Sequence, residues 1–106
     1  MVVEYIRYTI DAGRAEAFEQ AYRRAADALE ASEHCECYEV TRCAEDATEH
    51  IVRVELDSEE GHLSGFRQSP GFRDFFGAVG PFVHDIEEMR DYQVTLSDQD
   101  RSRASR

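Results

Sequence analysis

The spacing of apolar residues changes period along the chain, and this change limits the fold more than any other feature. Residues 2–10 are rich in β-branched and aromatic side chains. Strand alternation puts Val2, Glu4, Ile6, Tyr8 and Ile10 on one face and Val3, Tyr5, Arg7 and Thr9 on the other. From residue 12 to 31 the period turns helical. Phe18, Tyr22, Ala25 and Leu29 fall on one stripe, with Glu16, Arg23, Arg24, Asp27 and Glu30 around the rest. Asp11 stands where the N-cap of that helix is expected. Two strands are predicted at 35–43 and 50–56, joined across the polar stretch 44–49 as an antiparallel hairpin. In the second, Val52, Val54 and Leu56 share one face and Ile51, Arg53 and Glu55 the other.

A short helix is predicted at 58–66, capped by Asp57 or Ser58. Ser69-Pro70 then places a capping hydroxyl before a proline at the first helical position. Phe72, Phe75, Phe76 and Val79 line one stripe of that helix, and Gly80-Pro81 is expected to end it. A last strand is predicted at 85–95. Its alternation is mixed, with Ile86, Glu88, Arg90, Tyr92 and Val94 on one side and Met89 on the other, which calls for a bulge. The fold class is therefore α+β, a ferredoxin-like β-α-β-β-α(α)-β order with a four-stranded antiparallel sheet and helices on one face. Residues 1–96 make the domain, and 97–106 form a polar tail expected to be disordered. The sheet face away from the helices carries Tyr5, Cys37 and Ile51 beside Arg7, Glu39, Arg53 and Glu55. Such a mixture suits half-burial against a second sheet, so a homodimer enclosing a partly polar cavity is expected.

Composition narrows the function classes. The 106 residues fit a single domain. Twelve basic and 23 acidic residues give a net charge of −11, and every basic residue is arginine. Without lysine there is no Schiff-base nucleophile and no P-loop lysine. An anionic surface repels phosphate backbones, and the only basic cluster is Arg101, Arg103 and Arg106, so no nucleic-acid partner is expected. No run approaches the ~20 apolar residues that span a bilayer, so no membrane partner is expected either. Residues 1–5 show no basic segment leading into an apolar run, so no signal peptide is expected, and three cysteines, an odd number, read as reduced thiols in an expected cytoplasmic protein. Gly-x-Ser-x-Gly, GxGxxG and HExxH patterns are absent.

The element order, the long first helix, the segment Gly61-His-Leu-Ser-Gly-Phe-Arg-Gln-Ser-Pro-Gly-Phe-Arg-Asp-Phe-Phe76 and the closing strand resemble the antibiotic biosynthesis monooxygenase family of dimeric α/β barrels. The resemblance covers about residues 2–94, and its most specific piece is Ser69-Pro70-Gly71-Phe72. It implies a small oxygenase that oxidises an aromatic polyketide or quinol-type molecule with O₂ and no cofactor. The alternative is a non-catalytic dimeric domain that binds a small ligand or serves a globin-type redox partner. Many members carry a histidine three residues before the Ser-Pro serine. Phe66 stands there in this chain, and His62 lies one helical turn earlier on the same face. The haem-degrading relatives use Asn, Trp and His together, and this chain contains neither Asn nor Trp.

Cofactor-free oxygenation needs a base, a dry apolar pocket and a group that holds the developing anion. His62 is the candidate base, since imidazole titrates near neutrality; its structural role would be a partly exposed helix residue. Arg53, Arg90 and Tyr5 are the candidate positioning groups, with Arg7 beside them and Tyr38 and Tyr92 as further donors. The competing role for these arginines is an ion-pair network with Glu39, Glu55 and Glu88. Phe66 and Phe76 border the expected pocket between helices and sheet, although the phenylalanine stripe, with Phe82, also serves as core. His84 is placed at the pocket mouth or in solvent, and His34 and His50 at the surface. Cys35 and Cys37 are assigned to one strand face with Glu39, as small buried residues rather than metal ligands, and Cys43 stands apart. No metal or cofactor is expected, and the partner is a small hydrophobic or aromatic molecule.

Overall fold

A computed structural model describes residues 2–31, 35–56 and 70–97. The helix expected at 58–66, the Ser69 cap, His34, His62, Phe66 and residues 98–106 lie outside the described residues. The chain runs β1 (Val2–Thr9), a 3₁₀ turn (Ala12–Arg14), α1 (Ala15–Ala31), β2 (Cys35–Arg42), β3 (Glu49–Leu56), α2 (Pro70–Val79), a second 3₁₀ turn (Gly80–Asp85) and β4 (Ile86–Gln93). All three strand pairings are antiparallel, in the order β2-β3-β1-β4. This is the ferredoxin-like sheet read from the sequence.

One expected helix boundary shifts and another holds. The Asp11 side chain makes no capping hydrogen bond. Its backbone carbonyl instead accepts from the Arg14 N–H at 2.8 Å, an i to i−3 bond that winds the first turn as 3₁₀ before the α-helix begins. α2 ends at Val79, before Gly80 and Pro81 as expected, and the chain then continues as a 3₁₀ turn. None of the described glycines has a positive φ, and α2 tightens directly into the second 3₁₀ turn, where proline near the start has no N–H to waste. Arg14 fastens the two turns together by donating to both Asp85 carboxylate oxygens, at 3.2 and 2.9 Å, with its guanidinium over the Phe82 ring.

The core lies between α1, α2 and one face of the sheet. Phe18 is fully buried at its centre, with ring centroids of Tyr8, His50, Tyr22 and Phe82 between 4.8 and 5.4 Å away. His50 corrects its surface assignment. It is 1% exposed and follows the period of Val52, Val54 and Leu56 onto the helix-covered face, where neither ring nitrogen has a hydrogen-bond partner.

Register places each residue on a face. Rows of directly opposed residues run across β2-β3-β1-β4. On the helix side these are Tyr38-Val54-Glu4-Asp91 and Val40-Val52-Ile6-Met89; on the other side Glu39-Arg53-Tyr5-Arg90 and Thr41-Ile51-Arg7-Glu88. Two bulges matter. In β4 the register shifts between Arg7 and Tyr8, so Glu87 is the extra residue and Ile86 joins Met89 on the helix side. In β2 a shift at residue 36 separates Cys35, opposite Leu56, from Cys37, opposite Glu55. The two thiols therefore occupy opposite faces, and Cys37 is exposed rather than buried.

Candidate functional site

The helix-covered face holds a cavity of about 370 Å³. Its floor is the sheet, with Ile6, Val54, Leu56, Ile86 and Met89. Its roof is Phe72, Phe75, Phe76 and Val79 of α2, continued by Gly80 and Val83, with Leu29 of α1 at the side. The roof exists because α2 spaces its phenylalanines at i, i+3 and i+4, which sets them on one stripe facing the sheet. Phe72 and Phe75 are part-buried, while Phe76 is 50% exposed at the rim.

Polar groups enter this apolar space from a few positions. The Tyr8 and Tyr22 hydroxyls form a hydrogen bond of 2.7 Å, joining β1 to α1. Burial pushes both phenols above their ordinary pKa; for Tyr8 the bond from its partner offsets part of the rise, and nearby Glu4 adds to it in both. Both therefore remain neutral O–H groups at physiological pH. Glu4 lines the same cavity and is only 6% exposed. Cys35 completes the set at the β2 side. Among the described residues Glu4 is the one charged group on the wall, and no cation faces the space.

The arginines expected to hold a substrate lie elsewhere. Tyr5, Arg7, Arg53 and Arg90 all stand on the opposite face of the sheet, so they cannot line the helix-side cavity. There Arg53 Nε donates to the Tyr5 hydroxyl at 3.3 Å and Arg53 pairs with Glu55 at 3.3 Å. Arg90 pairs with Glu88 at 3.8 Å, and Arg7 with Glu49 at 3.7 Å rather than with the glutamates expected. Tyr5 meets Tyr92 edge to face, and with Arg7, Ile51 and Glu88 these rings border a shallow hollow. Tyr38 is not their neighbour, because its row puts it on the helix side, where its hydroxyl donates to Glu30 at 2.6 Å.

The remaining candidates divide in the same way. His84 is exposed in the second 3₁₀ turn and is not among the residues lining the cavity, whereas its neighbour Val83 is. A hydrogen bond to the Glu55 carboxylate holds the Cys37 thiol above its usual pKa, which removes thiolate character. The Cys43 thiol donates to Glu45 at 3.4 Å. Phe76 is the described sequence candidate that reaches the cavity. The residues overlooked were Glu4, Tyr8 and Tyr22. Glu4 had a visible signal, a carboxylate in the inward series Val2, Ile6, Tyr8 and Ile10, whereas nothing in the sequence pairs Tyr8 with Tyr22.

Comparison with known proteins agrees with this fold. A curated relative, the uncharacterized protein YczJ of Bacillus subtilis (strain 168), is 25% identical over 93 residues, covering 88% of this chain and 98% of its own. The crystal structure of SnoaB, a cofactor-independent oxygenase from Streptomyces nogalater, superposes with a TM-score of 0.71 at 13% identity, covering 92% of this chain and 95% of that one. A conserved protein from Methanosarcina mazei Go1 gives a TM-score of 0.70 at 16% identity, over 87% and 90% of the two chains. At such identities the two structures establish a shared fold. The sequence profile of the antibiotic biosynthesis monooxygenase family matches residues 1–78. With most of its length inside that match, the chain belongs to the antibiotic biosynthesis monooxygenase family.

Proposed function

We propose that the protein is a cofactor-independent oxygenase acting on a small hydroxylated aromatic or quinol-type substrate inside the helix-side cavity. The observation that carries this reading is the cavity itself: about 370 Å³, walled by aromatic and aliphatic side chains, with a neutral tyrosine pair on its wall. A space of this size suits a fused aromatic skeleton. The reaction asks little of the protein. A base removes a proton from the substrate, and the resulting electron-rich anion reduces O₂. In the conversion of a ring CH₂ to C=O the substrate supplies four electrons, one oxygen atom stays on carbon and the other leaves as water. The donor that steadies the anion is the Tyr8–Tyr22 pair, which takes the place assigned from sequence to Arg53, Arg90 and Tyr5. His62 is the proposed base. The arginine and tyrosine face is proposed to meet a second copy of the chain, forming the homodimer.

Oxygen uptake with a panel of hydroxylated naphthacenes and quinols tests the activity. The expected result is uptake stoichiometric with product, labelled O₂ delivering one atom to it, and loss of turnover in His62→Ala. Ligand-induced thermal shifts with no uptake across the panel would instead establish a binding domain.

A further inference from the structure

We propose that Glu4 is the specificity-determining group of the cavity, accepting a hydrogen bond from a neutral hydroxyl on the ligand and rejecting ligands that carry a carboxylate. The inference rests on the cavity being the substrate site. Glu4 reaches that space from β1, and Ile6, Val54, Leu56, Phe75 and Met89 line the same space. A carboxylate has about four lone-pair sites, so contacts with protein leave acceptor capacity for a ligand donor. An anionic ligand would meet the Glu4 carboxylate, and among the described residues no arginine lines the cavity to offset it.

Accepting from a hydroxyl is distinct from proton abstraction, which the proposed function gives to His62. The ligand class that satisfies both Glu4 and the tyrosine pair is a fused-ring aromatic with one neutral hydroxyl for Glu4 and an ionisable enol or phenol oxygen for the pair.

Equilibrium binding of naphthalene, 2-naphthol and 2-naphthoate to the full chain and to Glu4→Gln tests the assignment. In the wild type, 2-naphthol is expected to bind at least about tenfold more tightly than 2-naphthoate, the scale of one charge-assisted hydrogen bond. In Glu4→Gln that preference should collapse, because the amide donates to the carboxylate, while naphthalene binds both proteins equally. An unchanged naphthol-to-naphthoate ratio overturns the role of Glu4 alone. Absence of binding by all three probes overturns the cavity as a ligand site too, whereas the expected ratios without oxygen uptake overturn only the oxygenase reading. If the variant does not fold, the wild type decides, since naphthoate binding as tightly as naphthol contradicts the proposal.

Discussion

The two faces of the sheet are made by the same four strands, yet they solve opposite problems. The helix-covered face is closed by Phe18 and its ring neighbours at one end and opens into a cavity at the other. The uncovered face crosses the sheet with a charged row, Glu39-Arg53-Tyr5-Arg90, and leaves Tyr5 37% and Tyr92 46% exposed. Charge therefore concentrates on the face that no helix covers, and few polar groups intrude on the apolar one. Exposed ion pairs are screened and individually weak, whereas a buried hydroxyl or carboxylate interacts in a medium of lower dielectric.

The largest expected effect that sharpens this contrast is on the buried side. Phe18→Ala should lower the unfolding free energy by about 3–5 kcal/mol in urea titrations. A loss near the range of surface substitutions would mean that the rings do not form the core. Tyr22→Phe should cost about 1–3 kcal/mol by leaving the Tyr8 hydroxyl buried without its partner. The same pair predicts a pH limit. Both phenols are raised in the folded state, so their contribution is complete below the unfolded value of about 10 and is lost as pH rises beyond it. Chemical unfolding followed from neutral to alkaline pH should show stability falling above that point, less steeply in Tyr22→Phe. On the uncovered side, Arg90→Ala removes a pair whose arginine side chain is 65% exposed. It should change stability by less than about 1 kcal/mol. Naphthol binding should stay unchanged, and a loss would move the site to the other face.

The sequence made the faces legible but not the register. Alternation in β1 and β3 separated Ile6, Tyr8, Val52 and Val54 from Tyr5, Arg7, Ile51 and Arg53, and the structure keeps that division. Bulges defeated the same reasoning in β2, where one extra residue sends Cys35 and Cys37 to opposite sides; in β4 the irregular pattern itself announced the bulge. His50 departs from expectation for another reason. It sits in phase with buried neighbours, although its residue type is often found at surfaces, and phase decides; Glu4 keeps the inward phase that alternation gives it. Arg53 and Arg90 qualify by chemistry as anion-holding groups, but alternation sets their face away from the helices. The tyrosine pair depends on how α1 lies across β1, a tertiary fact that no local pattern contains.

The central claim is that ligands enter the space between α2 and the sheet. A crystal structure of the full chain with 2-naphthol bound tests it most directly. The expected result places the naphthyl rings between Phe75 and Met89 with the hydroxyl donating to Glu4. Rings seated instead against Tyr5 and Tyr92, beside Arg53 and Arg90, would contradict the account.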